Sequence, residues 1–398
     1  MVDSFIPHIR FKMCKNQWEK NKLSKLAKFN PKSTLPEKFK YVDLESVLGT
    51  DLISYREVSR ENAPSRAQRL AQKGDIFYQT VRPYQKNNYL FDSNEKDYVF
   101  STGYAQLRPL IDSAFLLARL QEESFVNMVL ERCTGTSYPA INSKDLSKIS
   151  VTIPQTIEEQ SAIGSLFRTL DDLLISYKDN LANYQSLKST MLSKMFPKAV
   201  QTIPEIRLKG FEGEWEIKKF KSISTKRGKT NSKGYDYPAY SVSNQSGLIP
   251  QSEQFEGSRL KNLEKTSYKT VGPNEFAYNP ARINVGSIAF NDIEETVIVS
   301  SLYVIFSLDK SINNNYALLF IKSPEFNKEV RRNTEGSVRE YLFYENFANI
   351  RIPSPPSLEE QQAIGSYFSN LDNLIVAHQE KISQLETLKK KLLQDMFV

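Results

Sequence analysis

Histidine and cysteine are nearly missing from this chain: 398 residues hold two of each, His8 and His378, Cys14 and Cys133. A structural zinc draws about four ligands mainly from these two residue types, and no Cys-x-x-Cys pair is present to begin such a site. The two cysteines are separated by 118 intervening residues and make no disulfide framework. Long apolar runs are missing too. The longest, Val297 to Phe306, is ten residues broken by Ser300 and Ser301, well under the roughly 18 that span a bilayer. The first residues carry Asp3, Pro7, His8 and Arg10 where a signal peptide needs an unbroken apolar stretch. A cytoplasmic protein without a membrane anchor or a metal site is expected.

Catalytic signatures are equally thin. Gly228-Lys229-Thr230 has the end of a phosphate-binding loop, but the glycine such a loop needs at position 223 is Ile223. Asn279-Pro280 follows Tyr278 in the manner of an amino-methyltransferase motif, yet Ala281 and Arg282 come next, and no glycine-rich cofactor loop lies upstream. His8 answers to Glu205 and His378 to Tyr177 in the internal repeat described below, so neither reads as a general base. No paired acids or nuclease-like acid and lysine spacing stands out. A binder rather than a catalyst is expected.

What the chain does have is ordinary bulk and a repeat. With 40% hydrophobic and 25% charged residues it has enough apolar material for a core, and its length suits two or three domains. Residues 158–196 align without a gap onto 359–397, with 16 identities in 39 positions. Shared positions include Glu158/Glu359, Gly164/Gly365, Phe167/Phe368, Asp171/Asp372, Leu187/Leu388 and the closing Met195-Phe196/Met396-Phe397. Each half also opens alike: Ile6-Pro7 with Arg10 and Trp18-Glu19 answers Ile203-Pro204 with Arg207 and Trp215-Glu216, and the chain has no other tryptophan.

The shared segment has a heptad period. Ile163, Phe167, Leu170, Leu174, Tyr177, Leu181, Tyr184, Met191 and Met195 fill a and d positions, and Ile364, Phe368, Leu371, Ile375, Ile382, Leu385, Leu392 and Met396 keep that register. Each copy carries a lysine, Lys188 or Lys389, at the same d slot. This pattern predicts two long coiled-coil helices. Thr156 and Ser357 are N-cap candidates, with Glu159 and Glu360 three residues on. Two such helices related by an approximate two-fold would pair antiparallel; the alternative is that each packs only on its own domain.

Between these ends the halves diverge. Residues 41–153 and 235–352 are rich in Tyr, Phe, Ser and Asn, with short β-type runs such as Ile76–Thr80 and Thr296–Phe306 and a helical stretch over Ser113–Arg132. Faint anchors persist: Asp75-Ile76-Phe77-Tyr78 with Arg82 matches Glu275-Phe276-Ala277-Tyr278 with Arg282. The expected fold class is α+β, with two pseudo-repeated α/β domains joined by two long antiparallel coiled-coil helices. The expected division is 1–157, the helix 158–197, then 198–357 and the helix 358–398.

Charge is placed unevenly. The chain carries 53 Lys and Arg against 46 Asp and Glu, a net +7, of which residues 1–200 supply 28 − 22 = +6. Ten basic residues lie in 10–40 against Glu19 and Glu37, and seven lie in 218–233 with no acid. Both clusters open a half just around the shared Trp-Glu. Basic segments interleaved with aromatics and amides suit a polyanion, because phosphates supply affinity and Arg, Asn, Gln and Ser edges read bases. The groove candidates in the first half are Arg56, Arg60, Arg66, Arg69, Arg82, Tyr84, Lys86, Asn87 and Asn88. In the second they are Tyr240, Ser241, Asn244, Gln245, Asn279, Arg282, Asn284, Arg331, Arg332 and Arg339. Arg82 and Arg282 gain weight from their matched placement after Tyr78 and Tyr278.

Two halves that each close on Glu-Glu-Gln-x-Ala-Ile-Gly-Ser, Phe and Leu-Asp, followed by a heptad helix ending in Met-Phe, resemble the DNA-specificity (S) subunit of type I restriction-modification systems. Gly135-Thr136-Ser137-Tyr138-Pro139-Ala140-Ile141 and Tyr278-Asn279-Pro280-Ala281-Arg282 are further family-like phrases. The resemblance implies that each centre is a target recognition domain for one half of a split, asymmetric double-stranded DNA site, and that the helices are a spacer. It also implies partners: two methyltransferase subunits, which carry S-adenosylmethionine, and two restriction and translocase subunits. No cofactor is expected in this chain itself. The second half shows Glu335-Gly336-Ser337-Val338-Arg339-Glu340 in place of the Gly-Thr-Ser-Tyr-Pro-Ala phrase, so the two centres are expected to read unrelated sequences. The other reading from the residues is a non-enzymatic coiled-coil scaffold whose basic surface serves only solubility.

Overall fold

The computed structural model describes residues 6–12, 14, 16–135, 137–198, 201–244, 247–254, 265–333 and 341–397. Two compact units emerge. The first contains residues 1–180 and 378–398, and the second contains 181–377. Two 38-residue helices, Ile157–Lys194 and Leu358–Asp395, each give their first part to one unit and their last part to the other. None of the described helices is long and apolar enough to cross a membrane.

Both units are built on the same frame. In the first, Glu19–Lys22 pairs antiparallel with Ser150–Ile153, joining the opening of the half to the strand that leads into the first long helix. An antiparallel sheet follows in the order Ala27–Phe29, Tyr104–Pro109, Ile76–Gln79, Tyr89–Leu90. The second unit repeats this with Glu216–Lys219 on Arg351–Ser354 and a sheet in the order Ser224–Arg227, Val304–Leu308, Glu275–Tyr278, Ile288–Phe290. The central strands are fully buried runs, Ile76-Phe77-Tyr78 and Phe276-Ala277-Tyr278, as strands covered on both faces should be.

Divergence is concentrated in a second layer. The first unit adds a four-stranded sheet, Arg56–Ser59, Lys38–Val42, Tyr98–Ser101, Ala67–Leu70, in which Lys38–Val42 and Tyr98–Ser101 run parallel. The second unit has two antiparallel strand pairs there, Tyr240–Ser243 with Gly247–Pro250 and Lys269–Val271 with Val297–Val299. The apolar run over 297–306 is thus two strands with a turn at Ser300–Tyr303, and the helical stretch over 113–132 is two helices, Ser113–Gln121 and Glu123–Leu130. Glu122 divides the latter by accepting bonds from the Ser124 and Phe125 amides at the second helix's N-cap.

The repeated motif at the start of each long helix proves to be a clamp. Glu159, 2% exposed, takes the Arg10 guanidinium on both oxygens at 2.6 and 2.8 Å and the Trp18 indole N–H at 3.1 Å. Glu360 takes Arg207 in the same forked way at 2.7 Å on each oxygen. The Thr156 and Ser357 hydroxyls do accept the Glu159 and Glu360 amides, at 3.4 and 3.2 Å. The glutamate side chains turn away from those caps, because a bidentate guanidinium outcompetes a neutral amide for a buried carboxylate. The next residue fixes a second element: Gln160 Oε1 accepts the Asp112 amide at 3.3 Å, and Gln361 Oε1 accepts the Asn313 amide at 2.8 Å.

Each unit's apolar core is closed by the end of a long helix that begins in the other half of the sequence. In the first unit Phe397 packs on Trp18, Phe115 and Phe167 with ring centroids 6.1, 5.7 and 5.8 Å apart. In the second, Phe196 lies 5.5 Å from both Tyr316 and Phe320. Met195, Phe196, Met396 and Phe397 are all at most 6% exposed, and burying a Phe side chain contributes about 2–3 kcal/mol.

The helix segments inside each unit run antiparallel. In the first unit Phe167 meets Phe397, Asp171 meets Lys389 and Lys178 meets Glu386 at 3.0 Å, while the Tyr177 and His378 rings lie 5.4 Å apart. In the second, Lys188 bonds Asp372. Ile163, Phe167, Leu170, Leu174, Ile364, Phe368 and Leu371 are buried, whereas Leu181, Ile375 and Ile382 are half-buried. The lysines that interrupt the heptads are therefore the two ends of reciprocal Lys–Asp pairs. An apolar seam tolerates slippage by a turn, and a charged pair within it does not.

Two predictions test these contacts. A methyl added at Gly164 would lie 2.5 Å from Asp112 Oδ1 and 2.7 Å from the Phe115 amide nitrogen, while one at Gly365 would sit 3.2 Å from Asn315 Cβ. Gly164→Ala should cost roughly 2 kcal/mol by overpacking, and Gly365→Ala should fall within about 1 kcal/mol of neutral because helix propensity offsets the crowding; paired denaturant titrations read the difference. Burial raises the Asp171 pKa although Lys389 opposes it. A raised carboxyl pKa contributes stability below its unfolded value and loses it as the pH rises through the folded one, so at neutral pH the ionised group carries a net burial cost. Lys389→Leu alone should destabilise by about 1–3 kcal/mol, and adding Asp171→Leu should recover most of that loss. Non-recovery in the double variant would contradict the pairing.

Candidate nucleic-acid interface

In the first unit a contiguous rim of loops forms at one end of the central strand Ile76–Gln79. Its backbone is stitched by hydrogen bonds: the Thr102 amide donates to the Arg66 carbonyl at 2.8 Å, and Thr80 donates its amide and hydroxyl to the Gly103 carbonyl at 2.9 and 2.7 Å. Ile141 donates to Thr80 at 3.0 Å, and Arg82 donates to Pro139 at 2.7 Å. The rim therefore gathers Arg66, Thr102, Arg82 and the 138–141 segment, which are far apart in sequence. Tyr84, 49% exposed, and Tyr138, 62% exposed, project from it. The Arg82 guanidinium lies 4.4 Å from the centre of the Tyr138 ring.

The loop beneath is held by buried amides. Gln79 donates to the Val81 carbonyl at 2.7 Å and to Gln85 Oε1 at 2.8 Å, and Gln121 donates to the Lys86 carbonyl at 3.1 Å. Arg82 and Lys86 both have left-handed backbones, φ +54° and +55°, on either side of the short turn Pro83–Gln85. Such a conformation costs a residue with a Cβ roughly 1–2 kcal/mol.

The matched loop of the second unit runs from Asn279 to Ser287. Asn279 donates its amide to Ser287 at 3.1 Å, and Leu342 donates to Pro280 at 3.0 Å. The Tyr278 hydroxyl donates to the Leu342 carbonyl at 3.0 Å, anchoring the loop from below, and burial pushes that phenol's pKa well up. Arg282, Asn284 and Val285 are exposed on this loop, beside the stacked, exposed rings of Tyr341 and Phe343 at 5.9 Å. Both units thus present a loop after the same strand, leaning on the segment that leads into the short helix before the last strand.

The other candidates scatter. Arg56 is exposed but paired to Asp43 at 2.9 Å, and Arg60 is exposed in the turn at the end of its strand. Arg69 is half-buried on the opposite edge of that sheet, its Nε without a protein acceptor, and burial lowers its pKa. Lys86 pairs with Glu123 at 2.5 Å, and Asn87 Oδ1 accepts the Gly49 amide at 2.8 Å. Asn88 is a correction: it is 1% exposed, its Oδ1 accepting the Gln79 amide at 2.8 Å and its Nδ2 facing Gln121, so it supports the loop from within. Ser241 is likewise buried on its strand, at 8% exposure, while Tyr240 is half-buried and Asn244 exposed.

Arg331 and Arg332 are exposed in the last turn of Pro324–Asn333; Arg332 bonds Glu329 at 2.8 Å and lines a cleft with Pro197, Ile217 and Arg351, on the frame rather than beside Arg282. Gln245, Arg339 and the whole Glu335–Glu340 phrase lie outside the described residues. Sequence reasoning missed Tyr138, Tyr341 and Phe343 as surface groups. The signal for the latter two was the alternation Tyr341-Leu342-Phe343, which puts both rings on the face opposite buried Leu342.

The model of the type I restriction modification DNA specificity domain matches residues 15–183 and again 212–387, and the chain belongs to that family. The MjaVIII specificity subunit of Methanocaldococcus jannaschii is 24% identical over 321 residues, covering 72% of this chain and 70% of that protein. Among solved structures, an S subunit of a type I restriction-modification system from M. genitalium covers 99% of both chains with a TM-score of 0.63 at 15% identity. A chain from a type I system studied for its complex assembly and conformational transition covers 94% of this chain and 96% of its own, with a TM-score of 0.52 at 20% identity. These structures bear on the fold. The protein is a specificity subunit of a type I restriction-modification system, a DNA-recognition component rather than a catalytic one, of the kind that works with DNA and with methyltransferase and restriction subunits.

The buried role of Asn88 is testable. Asn88→Ala removes the acceptor of a buried amide and should lower unfolding stability by about 1–3 kcal/mol, whereas Tyr84→Ala, at an exposed ring, should stay within about 0.5 kcal/mol. Equal effects in urea titrations would place Asn88 at the surface.

Proposed function

We propose that each unit reads one part of a bipartite, asymmetric double-stranded DNA site, the first through the rim at Arg66, Arg82, Tyr84 and Tyr138, the second through the Asn279–Ser287 loop and the Tyr341–Phe343 segment. The observation that carries this reading is the contrast within each unit. The frame of strands, arginine–glutamate clamp and helix is repeated element for element, and the second layer and loops are not. A repeated frame offers equivalent contacts to two copies of one partner, and divergent loops offer different edges to two different base sequences. The partners would be two methyltransferase subunits, each bringing S-adenosylmethionine, and two restriction and translocase subunits. The long helices would act as the spacer between the half-sites. Residues 1–157 and 198–357 would be the recognition portions, and 158–197 and 358–398 the spacer portions.

The test is reconstitution with the methyltransferase partner. The complex should protect a split site, and its affinity should fall steeply between low and physiological salt, by tenfold or more for several phosphate contacts. Exchanging residues 41–153 for the corresponding segment of another family member should change one half-site and leave the other. Salt-insensitive binding without sequence preference would favour a scaffold instead.

A further inference from the structure

The first rim contains a charged side chain that the structure has positioned at a cost and, among the described residues, left without an ion-pair partner. Arg82 has a left-handed backbone, φ +54° and ψ +54°. Arginine gains nothing from that conformation, and glycine would adopt it freely. Strain of this kind persists where the surroundings fix it, and it clusters at binding sites. Here the surroundings do fix it: the Arg82 amide is tied to Pro139, and Gln79 holds both Val81 and Gln85 from inside the core. Among the described residues Arg82 enters no ion pair, although carboxylates capture Arg56, Arg108, Arg119 and Lys86 in the same unit.

The Arg82 side chain instead rests on the Tyr138 ring at 4.4 Å. Stacking of this kind is planar, holds the guanidinium in one orientation and leaves its edge of N–H donors free. A group ordered before binding loses less entropy on binding. Its edge matches one base well: the O6 and N7 acceptors of guanine in the major groove accept two parallel N–H bonds. A phosphate would need neither the strain nor the stack, since any flexible lysine at the surface can reach one. The matched arginine of the second unit is placed differently: Arg282 is exposed, with φ −139°, and stacks on no ring among the described residues.

Resting on the DNA-reading function above, we propose that Arg82, oriented by Tyr138, is a specificity-determining residue that reads a guanine in the half-site of the first unit. Tyr138 is the positioning residue and Arg82 the one that touches the base.

The experiment uses the full-length chain in complex with its methyltransferase subunits, binding a library of duplexes randomised across the wild-type site, with thermal melts of each variant alongside. Wild type must first select a split site; if it selects none, the DNA-reading function itself fails, and this proposal with it. Given selection, Arg82→Ala should relax one guanine position in one half-site by about 10- to 100-fold in discrimination and leave the other half-site intact. Arg82→Lys should relax the same position, because an ammonium keeps the charge and loses the fork. Tyr138→Phe should retain the preference, and Tyr138→Ala should weaken it. If Arg82→Ala weakens all sequences uniformly and lowers the salt slope by about one, with Arg82→Lys restoring both, then Arg82 is a phosphate contact and the proposal is wrong. Unchanged selectivity in Arg82→Ala, with melting as in wild type, also overturns it.

Discussion

A carboxylate out of reach of water is the constraint on which both units are built. Glu159 and Glu360 are almost fully buried in the first turn of a long helix, where an unpaired charge would cost several kcal/mol. Each can remain there only if Arg10 or Arg207 comes to it from the opening of the same half, about 150 residues earlier. That requirement sets the Glu19–Lys22 or Glu216–Lys219 strand on its partner and fixes where the helix leaves the sheet, and in the first unit the Trp18 indole joins the same carboxylate. The positive end of the helix dipole adds to the attraction. The following glutamine then ties in the N-cap of an earlier helix, Ser113–Gln121 or Asn314–Ile321, so two adjacent side chains orient three elements.

Much of this frame was legible beforehand because it is written twice. Duplication exposed the paired openings, the helices and the Met-Phe endings, and the heptad period gave the helices their length. The chemistry of the shared residues was harder to read. Glu159 has the spacing of a capping box, and nothing local reveals that an arginine 149 residues away competes for it and wins. Lys188 and Lys389 look like defects in a d position until the antiparallel partner supplies Asp372 and Asp171. The parallel pairing of Lys38–Val42 with Tyr98–Ser101 depends on a contact about 60 residues apart, which no local pattern encodes.

The rim was legible only in part, for a related reason. Arg82 stood out by its matched place after the central strand, but Asn87 and Asn88, adjacent and identical in type, have opposite surroundings. One caps an amide near the surface and the other fills the interior beneath the loop. Residue type states what a side chain can bond to, and topology decides whether it faces water. The same limit hid Tyr138, whose importance comes from lying over Arg82, 56 positions earlier. In the second unit the Tyr341 and Phe343 rings stack on each other, on a segment joined to the Arg282 loop by the Leu342–Pro280 hydrogen bond, so equivalent loops on one frame carry different chemistry.

The seating of Phe397 against Trp18 bears on the order in which the molecule can be made. A ribosome releases residue 18 long before residue 397, so the first unit waits through the synthesis of nearly the whole second unit with an aromatic pocket open. The second unit meets no such delay: Phe196 precedes Tyr316 and Phe320, and its pocket forms around a side chain already present. Nascent chains should therefore complete the later unit first, and a chaperone that shields exposed rings would be needed chiefly by the earlier one.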